Sequence, residues 1–280
     1  MYRKNLTLCA IVMAVTFAVA GCGAQTGSAT DSQAKSEAKQ EIQQTVSNQN
    51  APSAGKSTEK VTEKAAEKTT EKATEKVAGS ANVGEYVTFG NYEQDGNTGN
   101  GAEPIEWLVL DKQGDKLLVI SKYALDSQPY NTEAATVTWE TCTLRNWLNT
   151  EFYNTAFSDS EKAKIIKTSL ENPNNPKYGI NGGNTTSDNV FCLSYDEAKK
   201  YFTSEKARMT KATSYALSNG AFTASAGGYA GYCDWMLRTP GGETGLVTDV
   251  SFSGDAGVVG VPVNTKVVGT RPALWIEAKN

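Results

Sequence analysis

Residues 229–241 read Tyr-Ala-Gly-Tyr-Cys-Asp-Trp-Met-Leu-Arg-Thr-Pro-Gly, and near the end of the chain stands a second apolar run, Arg271-Pro272-Ala273-Leu274-Trp275-Ile276. Both are short, rich in aromatic and aliphatic residues and bounded by glycine or proline, which is the pattern of buried strands. Between them, Leu246–Ser253 and Val258–Val263 read as a hairpin around Ser253-Gly254-Asp255-Ala256-Gly257. Alternation within that hairpin points Val250 and Phe252 inward and Asp249 and Ser251 outward. Working towards the N-terminus, Val83–Phe89 alternates as an opening strand. Pro104–Leu110 and Lys116–Ser121 form a hairpin around Lys112-Gln113-Gly114-Asp115. The order strands, helices, strands predicts an α+β fold, with the N- and C-terminal strands sharing one antiparallel sheet and helices in the middle. Residues 229–241 are expected to join the late hairpin to 271–276 and so close the domain.

The middle of the chain has helical spacing. Trp139, Cys142, Leu144, Trp147, Leu148, Phe152 and Tyr153 recur at three- and four-residue intervals, which predicts one amphipathic helix. Ser158-Asp159-Ser160-Glu161 is a capping box opening a second helix, and Ser194-Tyr195-Asp196-Glu197 caps a third. Residues 171–189, rich in Asn, Gly and Pro, form a long loop, which marks either function or mobility. The stretch Asp95-Gly96-Asn97-Thr98-Gly99 has the beginning of a calcium-loop spacing but lacks the closing glutamate, so it reads as an Asn/Gly turn.

The N-terminus carries a different kind of information. Arg3 and Lys4 precede an apolar run from Leu6 to about Ala20, followed by Val19-Ala20-Gly21-Cys22. The run is short for a membrane span and reads as a signal peptide over 1–21. Small residues directly before a cysteine resemble the lipobox of bacterial lipoproteins, which implies a lipid-modified Cys22 at the outer face of the cytoplasmic membrane. Residues 22–82 have almost no large apolar side chains and read as a disordered tether. Their Thr/Glu/Lys repeat at 58–77 stacks like charges at i,i+4, which weakens a helix. As a coil the tether spans roughly 45 Å.

Residues 83–280 remain as a single globular domain with 17 lysines and arginines against 23 aspartates and glutamates, net −6. No basic cluster marks a nucleic-acid partner. The chain contains no histidine. This removes Ser-His-Asp and Cys-His catalysis, histidine-held iron and most zinc sites. Cys142, Cys192 and Cys233 are widely spaced without a CxxC pair, so they are buried thiols or one disulfide plus a leftover.

The phrases Pro104-Ile105-Glu106-Trp107-Leu108-Val109-Leu110, Trp139-Glu140-Thr141-Cys142-Thr143-Leu144-Arg145, Trp235-Met236-Leu237-Arg238-Thr239-Pro240-Gly241 and Arg271-Pro272-Ala273-Leu274-Trp275-Ile276 resemble a bacterial family of exported domains of unknown function. The late region is remotely similar to the C-type-lectin-like and sulfatase-modifying-factor superfold. That similarity implies a C-type-lectin-like fold but transfers no site. The copper-binding cysteine pair of the oxidase branch and the calcium-loop motif of sugar-binding lectins are both missing from this sequence.

The candidate ligand-binding residues are therefore those of the late region: Trp235 with Tyr229 on a glycine-flanked rim, Arg238 beside it, and the carboxylates Asp234, Asp249 and Asp255. The carboxylates suit acid/base work or calcium. No cofactor is otherwise implied. Arg145, Arg238 and Arg271 each sit beside tryptophan and have a structural reading as buried ion pairs, with Glu106 or Glu140 as partners. Trp107, Trp139, Trp147 and Trp275 read as core. Taken together, the expected function is a membrane-anchored surface lipoprotein that presents a lectin-like module to a glycan, peptide or protein. The alternatives are an enzyme on a formylglycine-generating-enzyme-like fold and a structural subunit of a surface complex.

Overall fold

The computed structural model describes residues 81–278; the signal peptide, Cys22 and the tether up to residue 80 lie outside them, while Ala81, expected as tether, is buried in the core. The chain opens with β1 (Tyr86–Tyr92), β2 (Glu103–Gln113) and β3 (Lys116–Ser121). Helix α1 (Thr143–Trp147) then passes through a π turn (Leu148–Phe152) into α2 (Tyr153–Ala156). Helix α3 (Asp159–Lys162), β4 (Ile165–Ile166), β5 (Thr168–Leu170), β6 (Thr186–Asp188), α4 (Tyr195–Tyr201), α5 (Glu205–Arg208), β7 (Thr210–Lys211) and α6 (Ser214–Ser218) follow. The last elements are β8 (Tyr232–Cys233), β9 (Trp235–Pro240), β10 (Leu246–Val250), β11 (Val261–Pro262) and β12 (Ala273–Glu277). Among the described residues no helix is long and apolar enough to cross a membrane.

The main sheet has the order β1-β2-β3-β12-β4 with every pair antiparallel, so the two ends of the domain do share one sheet. Its centre follows from the sequence. Leu117, Leu118, Val119 and Ile120 of β3 are all buried, because the strand is covered on both faces. In β2, Ile105, Trp107 and Val109 point inward and Glu106 outward, and the Trp107 indole donates to Phe89 O at 2.6 Å. Both capping boxes form as expected, Ser158 with Glu161 and Ser194 with Glu197.

The closure of the domain differs from the expectation. Strand β9 does not bridge to β12. It belongs to a second, three-stranded sheet, β11-β10-β9, and touches the final segment through a parallel bridge from Trp235 to Gly269. Strand β12 pairs with β3 instead, Leu274 opposite Val119. All six residues of β9 are buried, so it runs through the core rather than along a rim. The middle helix is also interrupted. The π turn displaces its second half, and Trp139 precedes the helix, buried and bonded to Asp188 at 2.9 Å.

Residues 171–185 are pinned. The Asn175 side-chain amide donates to Pro240 O at 2.9 Å and Val258 O at 2.7 Å, and Asn172 donates to Asn184 O at 2.6 Å. The late hairpin is docked just as firmly. Gly254 has φ of +87° and lies so close to the Glu205 backbone that a Cβ would collide with it. Arg208 reaches the Gly254 carbonyl from the same helix, at 2.7 Å.

Candidate functional site

The late-region residues divide into two groups. Trp235 and Arg238 are 0% and 2% exposed, so neither can meet a ligand. The Trp235 indole donates to Arg208 O at 2.9 Å, and the Arg271 guanidinium lies 4.9 Å from its ring centre. Arg238 forks onto both oxygens of Glu197 and also donates to Cys192 O, Glu171 O and Asn172 Oδ1. It is a structural clamp between β9 and the start of α4. Arg145 pairs with Asp188 at 2.7 Å, and Arg271 donates to Ser121 O at 2.9 Å. The ion-pair reading holds for Arg145 and Arg238, with carboxylates other than Glu106, which pairs with Lys122, and Glu140, whose carboxylate accepts from Asn184; the buried Arg271 donates to backbone carbonyls instead.

The carboxylates do gather. Asp234 accepts from Phe252 N at 2.6 Å, and the charges of Asp234 and Asp255 both bear on Asp249. Burial, then the Asp234 charge, pushes the Asp249 carboxyl up to about 7. Asp249 is half-buried rather than an ordinary surface residue, although it lies on the less buried side of β10 from the fully buried Val250. Tyr229 is exposed, its ring edge-on to Phe252 at 5.7 Å. Cys142, Cys192 and Cys233 are free and buried, with burial pushing the Cys142 and Cys233 thiols up to about 12.

A cleft elsewhere has the composition of a binding site. Its volume is about 350 Å³, and its walls come from five separate stretches of chain. Part of the lining is aromatic. Trp147 lies 5.6 Å from Phe152, Phe152 5.0 Å from Tyr92, and Tyr92 5.7 Å from Tyr215, ring centre to ring centre. The polar lining, Glu93, Asp126, Gln128 and Glu151, is interleaved with these rings, Glu93 following Tyr92 and Glu151 preceding Phe152. A second cavity of about 200 Å³ shares Gln128, Trp147 and Glu151 with it. Trp147 and Glu151 fall four residues apart across the start of the π turn, which puts them on one face.

The polar lining is held rigidly. The backbone of Asp126 exchanges hydrogen bonds with the Thr270 segment, and Thr270 Oγ1 accepts from Gln128 N at 3.1 Å. The buried Asp126 carboxylate accepts from Tyr92 Oη at 2.5 Å, Ser127 N at 2.6 Å, Asn219 Nδ2 at 3.0 Å and Gln128 Nε2 at 3.3 Å. Burial, then the Asp126 charge, holds the Tyr92 phenol protonated, well above its ordinary range. A half-exposed indole beside an amide and a carboxylate can receive a flat ring on its apolar face and hydrogen-bond that ring's edge. Sequence reasoning assigned Trp147 to the core. The residues around it are distant in sequence, and only the fold brings them together.

Glu93, which lines the cleft, and Asp95 and Glu103, which do not, offer oxygens within 4.8 Å of one another, a spacing compatible with a hard cation such as calcium. Their present bonds account for the turn. Glu93 accepts from Gly96 N at 2.7 Å, Asp95 from Asn97 N at 2.7 Å and Asn100 Nδ2 at 2.8 Å, and Glu103 from Gln94 N at 2.7 Å.

Comparison with known families finds one match: residues 114–278 fit a family described only as a domain of unknown function, DUF6273. The matched region begins in the β2–β3 turn, so β1 and β2 precede it although they pair into the same sheet. No characterised protein and no solved structure matches the chain.

Proposed function

The chain belongs to the DUF6273 family of domains of unknown function, and from that premise we propose that its domain is a non-catalytic, C-type-lectin-like ligand-binding module. An acylated Cys22 anchors it to the outer face of the bacterial cytoplasmic membrane, and residues 22–80 serve as its tether. Its ligand is a glycan, bound in the cleft beside Trp147. The observation that carries this reading is the placement of Trp147. Trp107, Trp139 and Trp235 are fully buried; Trp147 and Trp275 are partly buried against the core, and of these two it is Trp147 that lines two adjoining cavities, with Gln128 and Glu151. Aromatic platforms with few, well-placed polar groups are how small-molecule sites obtain both affinity and orientation. A screen of the intact chain against oligosaccharides and peptidoglycan fragments, with and without calcium, tests it. Binding that competes among glycans supports the proposal, and no binding across the screen refutes it.

A second reading, an enzyme, draws on Asp249. A carboxyl held near 7 beside Asp234 and Asp255 suits a general acid. Turnover of any glycan by the intact chain, lost in Asp249→Asn, would favour it over the binding module.

A further inference from the structure

The charge of the cleft narrows its ligand. Its carboxylates, Glu93, Asp126 and Glu151, stand among the aromatic rings, and among the described residues lining either cavity there is no lysine or arginine. Asp126 is 2% exposed, and its four hydrogen-bond donors are all neutral: a phenol, a backbone amide and two side-chain amides. A buried carboxylate is ordinarily matched by a cation. Arg145 and Arg238 supply that match elsewhere in this domain, to Asp188 and Glu197. Here neutral donors spread the charge without cancelling it, so the floor of the cleft keeps a negative potential. Among the described residues the exposed Glu151 carboxylate has no hydrogen-bond or ion-pair partner, which leaves it available at the rim. The half-exposed rings of Trp147 and Tyr215 add the negative faces of their π systems.

We propose that the cleft selects ligands bearing an ammonium group on a compact ring, the amino-sugar class, over neutral sugars of the same size. The apolar face of the sugar ring packs on Trp147. The ammonium sits towards Glu151 and Glu93, within the field of Asp126. An anionic ligand is disfavoured by the same field. This inference rests on the reading of the cleft as a glycan site.

The test is calorimetric titration of the intact chain with three tetrasaccharides: a glucosamine oligomer, its N-acetylated counterpart and a glucose oligomer. At about pH 6, where an amine carries its proton, the glucosamine oligomer is expected to bind about tenfold more tightly than the other two. Raising the pH to about 9.5, where the amine is neutral and the carboxylates are not, is expected to remove the preference. Glu151→Gln at the exposed rim and the double variant Glu93→Gln/Glu151→Gln are expected to reduce it stepwise, weakening the glucosamine oligomer more than the neutral one, with thermal unfolding confirming that both remain folded. Equal affinities for all three sugars would overturn the inference and leave the glycan reading standing. A preference that survives the double variant would also overturn it, since attraction to the net negative surface would then suffice. Failure of all three to bind would count against the glycan reading itself.

Discussion

Replacing Glu197 by glutamine isolates the clamp that fixes β9. Arg238 is 2% exposed, and its guanidinium forks onto both Glu197 oxygens, while the Glu197 side chain is 27% exposed. Glu197 has a second task, accepting from Ser194 N at 2.8 Å as the far half of the α4 capping box. Glutamine performs that capping as well as glutamate does, so the substitution removes charge and one acceptor without removing the cap. Breaking a buried ion pair by losing one partner costs about 3–5 kcal/mol, because the other charge is left uncompensated. Partial solvent access at Glu197 and the remaining amide oxygen lower this to about 2–3 kcal/mol. For a domain of this size that is a fall in Tm of about 5–10 °C. Urea and thermal unfolding of wild type, Glu197→Gln, Arg238→Met and the double variant would measure it. The double variant should be less destabilised than the sum of the singles, since it leaves no orphaned charge. Burial alone would raise the Glu197 carboxyl, but the Arg238 bonds and charge outweigh it and hold its pKa below the ordinary value of 4.5. The pair's contribution is therefore fully present above about pH 4.5 and is lost as the pH falls through the lower folded value. Acid sensitivity in that window should be weaker in Glu197→Gln. A loss below about 0.5 kcal/mol, the range of an ordinary surface substitution, would refute the view that Arg238 is a structural clamp.

The Asp249 carboxyl, raised to about 7, takes up protons on folding between about pH 4 and 7. Wild-type stability should decline across that range as pH rises, and Asp249→Asn should flatten the slope, being about 2–3 kcal/mol more stable at about pH 8; equal slopes in urea titrations would contradict this. Gly254→Ala places a methyl against the Glu205 backbone at a φ of +87°, so it should destabilise by about 2 kcal/mol or more in thermal unfolding. The buried thiols of Cys142, Cys192 and Cys233 should resist a thiol-specific chromogenic reagent in the native domain and react fully in denaturant; rapid native labelling of any of them would show that its shell opens.

Much of the fold was legible in the sequence because it rests on local patterns. The apolar runs of β2, β3 and β12 allowed only buried strands, and the serine–glutamate pairs at 158–161 and 194–197 announced their helices. The partner of β9 was not legible, since an all-apolar strand carries no periodicity to say which sheet receives it. Alternation set Val250 inward and Asp249 on the other side of β10 as expected, but it carries no information on how far that other side is covered, and Asp249 is half-buried there. Trp235 drew attention through its glycine neighbours, yet Gly227 and Gly228 stand in open space and Gly241 and Gly242 serve close packing. Gly241, for example, sits where a Cβ would come within 2.6 Å of Leu246 Cβ. The cleft left no local trace at all. Tyr92, Asp126, Trp147 and Tyr215 are separated by long stretches of chain, and each has an ordinary local explanation. Only the fold gathers four aromatic rings and three carboxylates into one cleft that no lysine or arginine lines.

The central claim is that the Trp147 cleft is where this domain holds a glycan. Calorimetric titration of the intact chain and of its Trp147→Ala and Gln128→Ala variants with the best oligosaccharide from the screen tests it most directly. The account expects Trp147→Ala to abolish measurable binding and Gln128→Ala to weaken it about tenfold, with both variants retaining cooperative unfolding. Unchanged affinity in both folded variants would place the ligand elsewhere and contradict the account.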